Sequence, residues 1–197
     1  MDESWKNLGF KQADTHPVVN VSWNDANAFC DWLTRKDLAE GKIKAGQFYR
    51  LPTDVEWSVA VGLGKEQGNT PKEKDKGIKD VFPWGKEWPP PKGAGNYGVY
   101  EGSLKVDKFK YTSPVGSFAA NKLGLYDMGG NALEWCLDKY TPTSANRVMR
   151  GASWDAFVGR NGSISGMLSA ERHIITTFLR STTVIGFRCV LAGGSGG

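Results

Sequence analysis

Residues Asn146–Val190 read NRVMRGASWDAFVGRNGSISGMLSAERHIITTFLRSTTVIGFRCV, two motif-rich ends around a middle of unusual composition. The ends carry RVMRGASW at 147–154 and GFRCV at 186–190. Between them, 155–185 contains no Lys, Gln, Trp or Pro, and apart from Met167 and Glu171 every position is Asn, Asp, His, Ser, Gly, Arg, Thr, Ala, Ile, Val, Leu or Phe. Every lysine of the chain lies at or before Lys139. Those twelve residue types, Met167 and Glu171 excepted, fall within the set reached when the adenines of an AAC-type asparagine codon are replaced. Burial would also explain a lysine-poor segment, and HIITTFL at 173–179 has the β-branched residues of a core strand.

Upstream, the chain punctuates itself clearly. Ser22 opens a helix, with Asp25 in its first turn and Trp23, Ala26, Phe29, Cys30 and Leu33 at helical spacing. Thr53 and Glu56 form a capping box for a second helix that runs to about Val61 and stops at Gly62. KEQGNTPKEKDKGIKD (65–80) has charge, Gly and Pro without periodicity and is expected to be a surface loop. PWGKEWPPPKG (83–93) has four prolines and cannot be an ordinary helix or a central strand. A last strand is expected at Ile185–Leu191, followed by a flexible Gly/Ser tail at 192–197.

At 197 residues the chain fits one domain, 1–191, with a real core. Eight Trp and 25 Gly predict a loop-rich fold held by large aromatic anchors. The net charge of +4 comes from lysines interspersed with acids, which describes a solvated surface and argues against nucleic-acid binding. No apolar run approaches the roughly 20 residues that span a bilayer.

The segments VSWNDANAFCDWL (21–33), YRLPTDVEWSVAVG (49–62), GLYDMGGNALEW (124–135), RVMRGASW and GFRCV, taken in this order, resemble the formylglycine-generating-enzyme (sulfatase-modifying-factor) family. The resemblance runs from about Trp5 to Val190. It implies an α+β, C-type-lectin-like fold: two helices, short antiparallel strands and a high loop content. The family's strands before Trp5 are not seen, which means either a short version or a removed upstream segment that held any leader.

The family enzyme oxidises a substrate cysteine with two cysteines of its own, placed shortly after the GGSW-like motif. Counting forward from Ser153–Trp154 puts those positions near Ala156 and Asn161; counting back from Gly186–Cys189 puts them near Arg160 and Ser165. No cysteine lies between 137 and 188. Thiolate chemistry needs sulfur there, so no enzyme activity and no catalytic cofactor are expected. A related iron enzyme needs several histidines, and this chain has only His16 and His173.

The resemblance also implies structural calcium. One set is the Asn96 side chain with the Tyr97 carbonyl, plus Asp107 with the Phe109 carbonyl. A second is Gly130, Asn131, Ala132 and Glu134. Hard cations take oxygen ligands, which both sets supply, although Asn131 and Glu134 would serve equally as loop caps. In the family, the first-helix cysteine lies beside the cysteine of GFRC. Cys30 and Cys189 occupy those positions, as a disulfide or as two buried thiols. Cys136 reads as a small buried hydrophobe.

The composition of 155–185 within a fixed frame resembles the variable proteins of diversity-generating retroelements, many of which use this lectin-like fold. There an error-prone reverse transcriptase misreads adenine while copying a template repeat into the 3′ end of a gene. The frame would be Arg150, Gly151, Ser153, Trp154, Ser169, Ala170, Arg172, Arg180, Gly186, Phe187 and Arg188, inside a variable region of about 152–188. The ligand-contacting positions would be Asp155, Ala156, Phe157, His173, Ile174, Ile175, Phe178, Leu179, Ser181, Thr182 and Thr183. The expected protein is a monomeric, non-catalytic receptor that binds a protein or other surface ligand, displayed on or exported from a bacterial cell. The alternatives are a fixed-specificity sensor or structural module, or a divergent enzyme of the family.

Overall fold

Ser22 and Thr53 start the two main helices by the same device. The Ser22 hydroxyl accepts from the Asp25 N–H (3.1 Å) while the Asp25 carboxylate accepts from the Ser22 N–H (3.0 Å), opening α1, Trp23–Ala39. Thr53 and Glu56 repeat the exchange (3.1 and 2.8 Å) to open α2, Asp54–Val61. Gly62 closes α2 at φ 90°, a left-handed conformation that favours glycine. The structure, a computed structural model, describes residues 5–98, 105–156, 165–176 and 183–193.

The remaining elements are short. β1 is Phe48–Arg50, α3 Pro71–Lys74, β2 Leu133–Lys139, β3 Asn146–Arg150, β4 His173–Thr176, β5 Ile185–Gly186 and β6 Val190–Ala192. A single 3-10 turn at Ser165–Met167 precedes β4. β1 and β6 make a two-stranded antiparallel sheet, and a four-stranded sheet has the order β4-β3-β2-β5. The mixture of few helices, short strands and long irregular connections is the α+β, lectin-like architecture that the motifs implied.

Alternation along β2 and β3 puts a separate core on each face of the larger sheet. Trp135 and Met149 face α1, where they pack with Ala26, Cys30, Leu51 and Ile185. Cys136 and Val148 face α2 and pack with Trp57, Val61, Met128 and Ala170. Full burial of a side chain such as Leu51 or Val148 contributes about 1.5–3 kcal/mol. The indole N–H groups are matched as well: Trp135 donates to the Val21 carbonyl and Trp57 to Glu134 Oε2.

Three sequence expectations need correction. The strand expected at Ile185–Leu191 is two strands in two sheets. Ile185 and Gly186 pair in parallel with Leu133 and Glu134, and Val190–Ala192 crosses to β1, so the pairing is not wholly antiparallel. The break follows from crowding: the Asn20 N–H donates to the Ile185 carbonyl, and a Cβ on Gly186 would meet the Val18 carbonyl at 2.6 Å. Second, the loop at 65–80 contains α3, whose Thr70 cap and Glu73 form a third capping box. Third, Phe29 does not point into the core. It is 41% exposed and packs edge-on against Phe187 at 5.4 Å.

Candidate functional site

The segment between β3 and β4 is held by a buried ionic network that begins at Asp54, the first residue of α2. Arg150, at the end of β3, donates to the Asp54 carboxylate, to Ser58 Oγ (3.0 Å) and to the Ser169 carbonyl (2.8 Å). Arg172, one residue before β4, donates to both Asp54 oxygens (2.9 and 3.1 Å) and to both Glu66 oxygens (2.6 and 2.7 Å). The Arg150, Asp54 and Arg172 side chains are essentially excluded from solvent. Burial alone would raise the Asp54 carboxyl; the two guanidinium groups outweigh it and hold the carboxyl below its ordinary value. Glu66 shows the same balance, with Arg172 as its main partner.

This network ties 65–80 to the site. The Arg172 N–H donates to Asp75 Oδ1 (2.9 Å), its guanidinium reaches the Lys74 carbonyl (3.1 Å), and Lys76 pairs with Glu171 at 3.2 Å. The segment lies at the surface, as expected, and also clamps the start of β4. Residues 154 and 183 are joined through Trp154. Its backbone N–H donates to the Asn131 carbonyl (3.1 Å) and its indole to the Thr183 carbonyl (3.0 Å). Its ring packs edge-on against Tyr111 and Phe10.

Between these anchors lies a pocket of about 300 Å³, lined by Leu133, Ala152, Ser153, Asp155, Ala156, Gly166, Met167, His173 and Val184. Asp155, Ala156 and His173 are three of the expected ligand-contacting positions. A ring nitrogen of His173 lies 3.2 Å from the Gly166 carbonyl, and burial pushes the imidazole below its ordinary value, toward the neutral form. The aromatic group Phe82, Trp84 and Tyr97 packs behind Ala152, Ala156 and Met167, forming the far side of this wall.

β4 is an edge strand, and its alternation separates two adjacent expected positions. Ile174 is 44% exposed, whereas Ile175 packs into the core with Trp135 and Met149. The expectation that both contact ligand is thus corrected: strand geometry turns Ile175 inward. Thr183 is half-buried, with its carbonyl held by Trp154. Phe157, Phe178, Leu179, Ser181 and Thr182 lie outside the described residues.

The two expected calcium sets differ in fit. In the first, Asp107 accepts from the Tyr97 N–H (2.8 Å) and the Phe109 N–H (2.7 Å), which joins the two segments. Asn96 is fully buried, its amide nitrogen donates to the Tyr111 carbonyl, and its Oδ1 has no hydrogen-bond partner. A buried orphan oxygen beside a carboxylate-linked loop fits a hard cation. In the second, both amide atoms of Asn131 are engaged, by Ser113 and by the Asn96 amide. Glu134 is already paired through both oxygens with Arg188 (2.6 Å each) and bonded by Trp57. With the Gly130 carbonyl accepting from the Ala132 N–H (2.8 Å), this set fits loop capping better than metal binding.

The sulfurs of Cys30 and Cys189 lie 3.5 Å apart as thiols. A hydrogen bond between them raises Cys30 and lowers Cys189. Cys136 is buried, and burial pushes its thiol well up, as suits a packing residue.

Asp54, Ser58 and Glu66 escaped the sequence reading. Asp54 sits where an acid stabilises any helix N-terminus, and nothing local reveals two arginines about a hundred residues downstream. Leu133, Met167 and Val184 were likewise missed as pocket walls, because an apolar side chain carries no local sign of lining a cavity.

With this geometry in place, comparison with known proteins identifies the family. The model of the sulfatase-modifying factor enzyme 1-like domain matches residues 2–192, and the chain belongs to that family. It is similar to the inactive C-alpha-formylglycine-generating enzyme 2 of Mus musculus, with 33% identity over 189 residues, 94% of this chain and 52% of the relative. It is also similar to the formylglycine-generating enzyme of Thermomonospora curvata, with 37% identity over 128 residues, 62% of this chain and 33% of the relative. The chain thus spans about half or less of the length of these relatives. Among solved structures it resembles PvdO from Pseudomonas aeruginosa (TM-score 0.63, 25% identity, covering 91% of this chain and 63% of that one). It also resembles Treponema denticola variable protein 1 (TM-score 0.56, 24% identity, covering 96% and 77%), a likeness of fold.

Proposed function

We propose that this protein is a non-catalytic receptor whose recognition surface is the segment 155–184, diversified by a retroelement and held on a constant frame. The observation that carries this reading is the division of labour around the pocket. Arg150 and Arg172 are fastened by buried hydrogen bonds and Trp154 by a half-buried one; all three are expected frame residues. Asp155, Ala156 and His173, expected varied positions, line the opening between them. Rigid anchors with changeable lining are what a reprogrammable site requires. Asp155 and Ile174 are exposed, so burial does not account for the lysine-free composition at those positions.

The three cysteines lie at 30, 136 and 189, outside the interval where the family enzyme keeps its catalytic pair, which supports a binding role. A relative named as inactive matches nearly the whole chain. Calcium at Asn96, Tyr97, Asp107 and Phe109 would brace the segment below the pocket wall. Among the described residues no helix is long and apolar enough to cross a membrane. Display at a bacterial surface and a monomeric state belong to the same proposal.

The test is a library randomised at Asp155, Ala156, His173, Ile174 and Thr183 and selected against unrelated proteins. Folded members with new, distinct ligands support the reading. Uniform unfolding of the library, or folded members that never differ in binding, overturns it.

A further inference from the structure

We infer that the pocket between β4 and the 152–156 turn takes a ligand group with a hydrocarbon body and an ammonium head, as on an amine-bearing side chain or small molecule. This rests on the reading of 155–184 as the recognition surface and names the chemistry that the surface selects.

The body follows from the walls. Leu133, Ala152, Ala156, Met167 and Val184 make the lining predominantly apolar. A volume of about 300 Å³ is at the small end for ligand sites, enough for one side chain or a fragment rather than an extended ligand.

The head follows from charge. Asp155 is the one charged side chain among the described residues of the lining, and it stands exposed at the rim. His173 does not offset it. The ring is held against the Gly166 carbonyl and burial favours its neutral form, so it brings no cation to meet an anionic ligand. Among the described residues no cation offsets Asp155, so a carboxylate or phosphate would be repelled there, whereas an ammonium would pair with it while its hydrocarbon body displaced water from the apolar floor.

The lining also divides by constancy. Leu133, Ala152, Met167 and Val184 fall outside the expected varied positions, while Asp155 belongs to them. Sister copies would share the apolar floor and differ in head-group preference according to residue 155.

Three nearly isosteric probes separate these components: 2-phenylethylamine, 2-phenylethanol and 3-phenylpropanoate, titrated against the whole chain and its variants by NMR. The expected order is amine, then alcohol, then acid. The amine advantage over the alcohol should be about two- to fivefold, the range of an exposed ion pair. Asp155→Asn should erase that advantage, and Asp155→Arg should turn the preference toward the acid. Because Asp155 is exposed, neither change should unfold the protein, which the amide spectrum checks directly. Equal or tighter binding of the acid to the unaltered protein, or an amine preference that survives Asp155→Asn, overturns the ammonium assignment and leaves the surface reading intact. If none of the probes binds, the pocket assignment fails, and the randomised library judges the surface separately.

Discussion

Arg172 Nη2 lies 2.9 Å from Asp54 Oδ2, with both side chains buried and 118 residues of chain between them. The contact joins the start of α2 to the start of β4, and so fixes the proposed recognition surface to the scaffold. Forming a buried ion pair stabilises little, because desolvation offsets the attraction. Breaking one from a single side is costly. Asp54→Ala leaves Arg150 and Arg172 facing each other without their shared anion and should destabilise by about 3–5 kcal/mol. Urea unfolding monitored by tryptophan fluorescence checks this. A loss below about 1 kcal/mol would mean that water reaches the network.

The same network sets an acid limit. Asp54 and Glu66 have carboxyls held below their ordinary values, and the Arg50 guanidinium holds the Glu56 carboxyl at about 2. A depressed carboxyl contributes stability that is complete above its unfolded value, near 4, and disappears as the pH falls toward the folded value. Glu171, raised by burial, acts in the opposite sense and offsets part of the loss. Stability should therefore decline between about pH 4.5 and 2. Unfolding midpoints measured across that range should flatten in Glu66→Gln, and an unchanged slope would remove Glu66 from the explanation.

Ile174 and Ile175 make a paired test of strand geometry. Ile174→Asn changes an exposed position and should cost within about 0.5 kcal/mol. Ile175→Asn puts an amide against Trp135 and Met149 and should cost about 2–4 kcal/mol. Thermal melts of the two proteins decide it; equal melts would mean that the alternation of β4 does not hold in solution.

The helix starts, the second helix's end and the motif frame were legible in the sequence because caps, glycines and short spacings act locally. Ser22, Thr53 and Gly62 each sit where their own chemistry requires. What stayed hidden was long-range. The Ile185–Leu191 strand divides between two sheets because of the crowding of Gly186 against the Val18 carbonyl, a contact with no local trace. Glu66 looked like a loop acid until Arg172 was found against it. The placement of Ile175 depended on strand register, and a shift of one residue would have exchanged it with Ile174. In the candidate site, composition singled out a segment three of whose expected positions line the pocket, but the apolar pocket walls carried no mark of it.

The cysteine pair offers a compartment test. Cys30 and Cys189, 3.5 Å apart at sulfur, should form a disulfide under oxidising conditions and gain about 4–5 kcal/mol by closing a long loop. Oxidised protein should melt higher than reduced protein, and Cys30→Ser should abolish the difference. Identical melts with the bond shown intact by mass spectrometry would mean that native strain cancels the gain.

The central claim, that 155–184 is a diversified recognition surface, is tested most directly by sequencing the DNA downstream of the gene. The account predicts a near-copy of the segment encoding Ser153–Arg188 that differs only where the copy carries adenine, next to a reverse transcriptase gene. A flanking region with no such repeat, or a repeat whose differences ignore adenine, would contradict it.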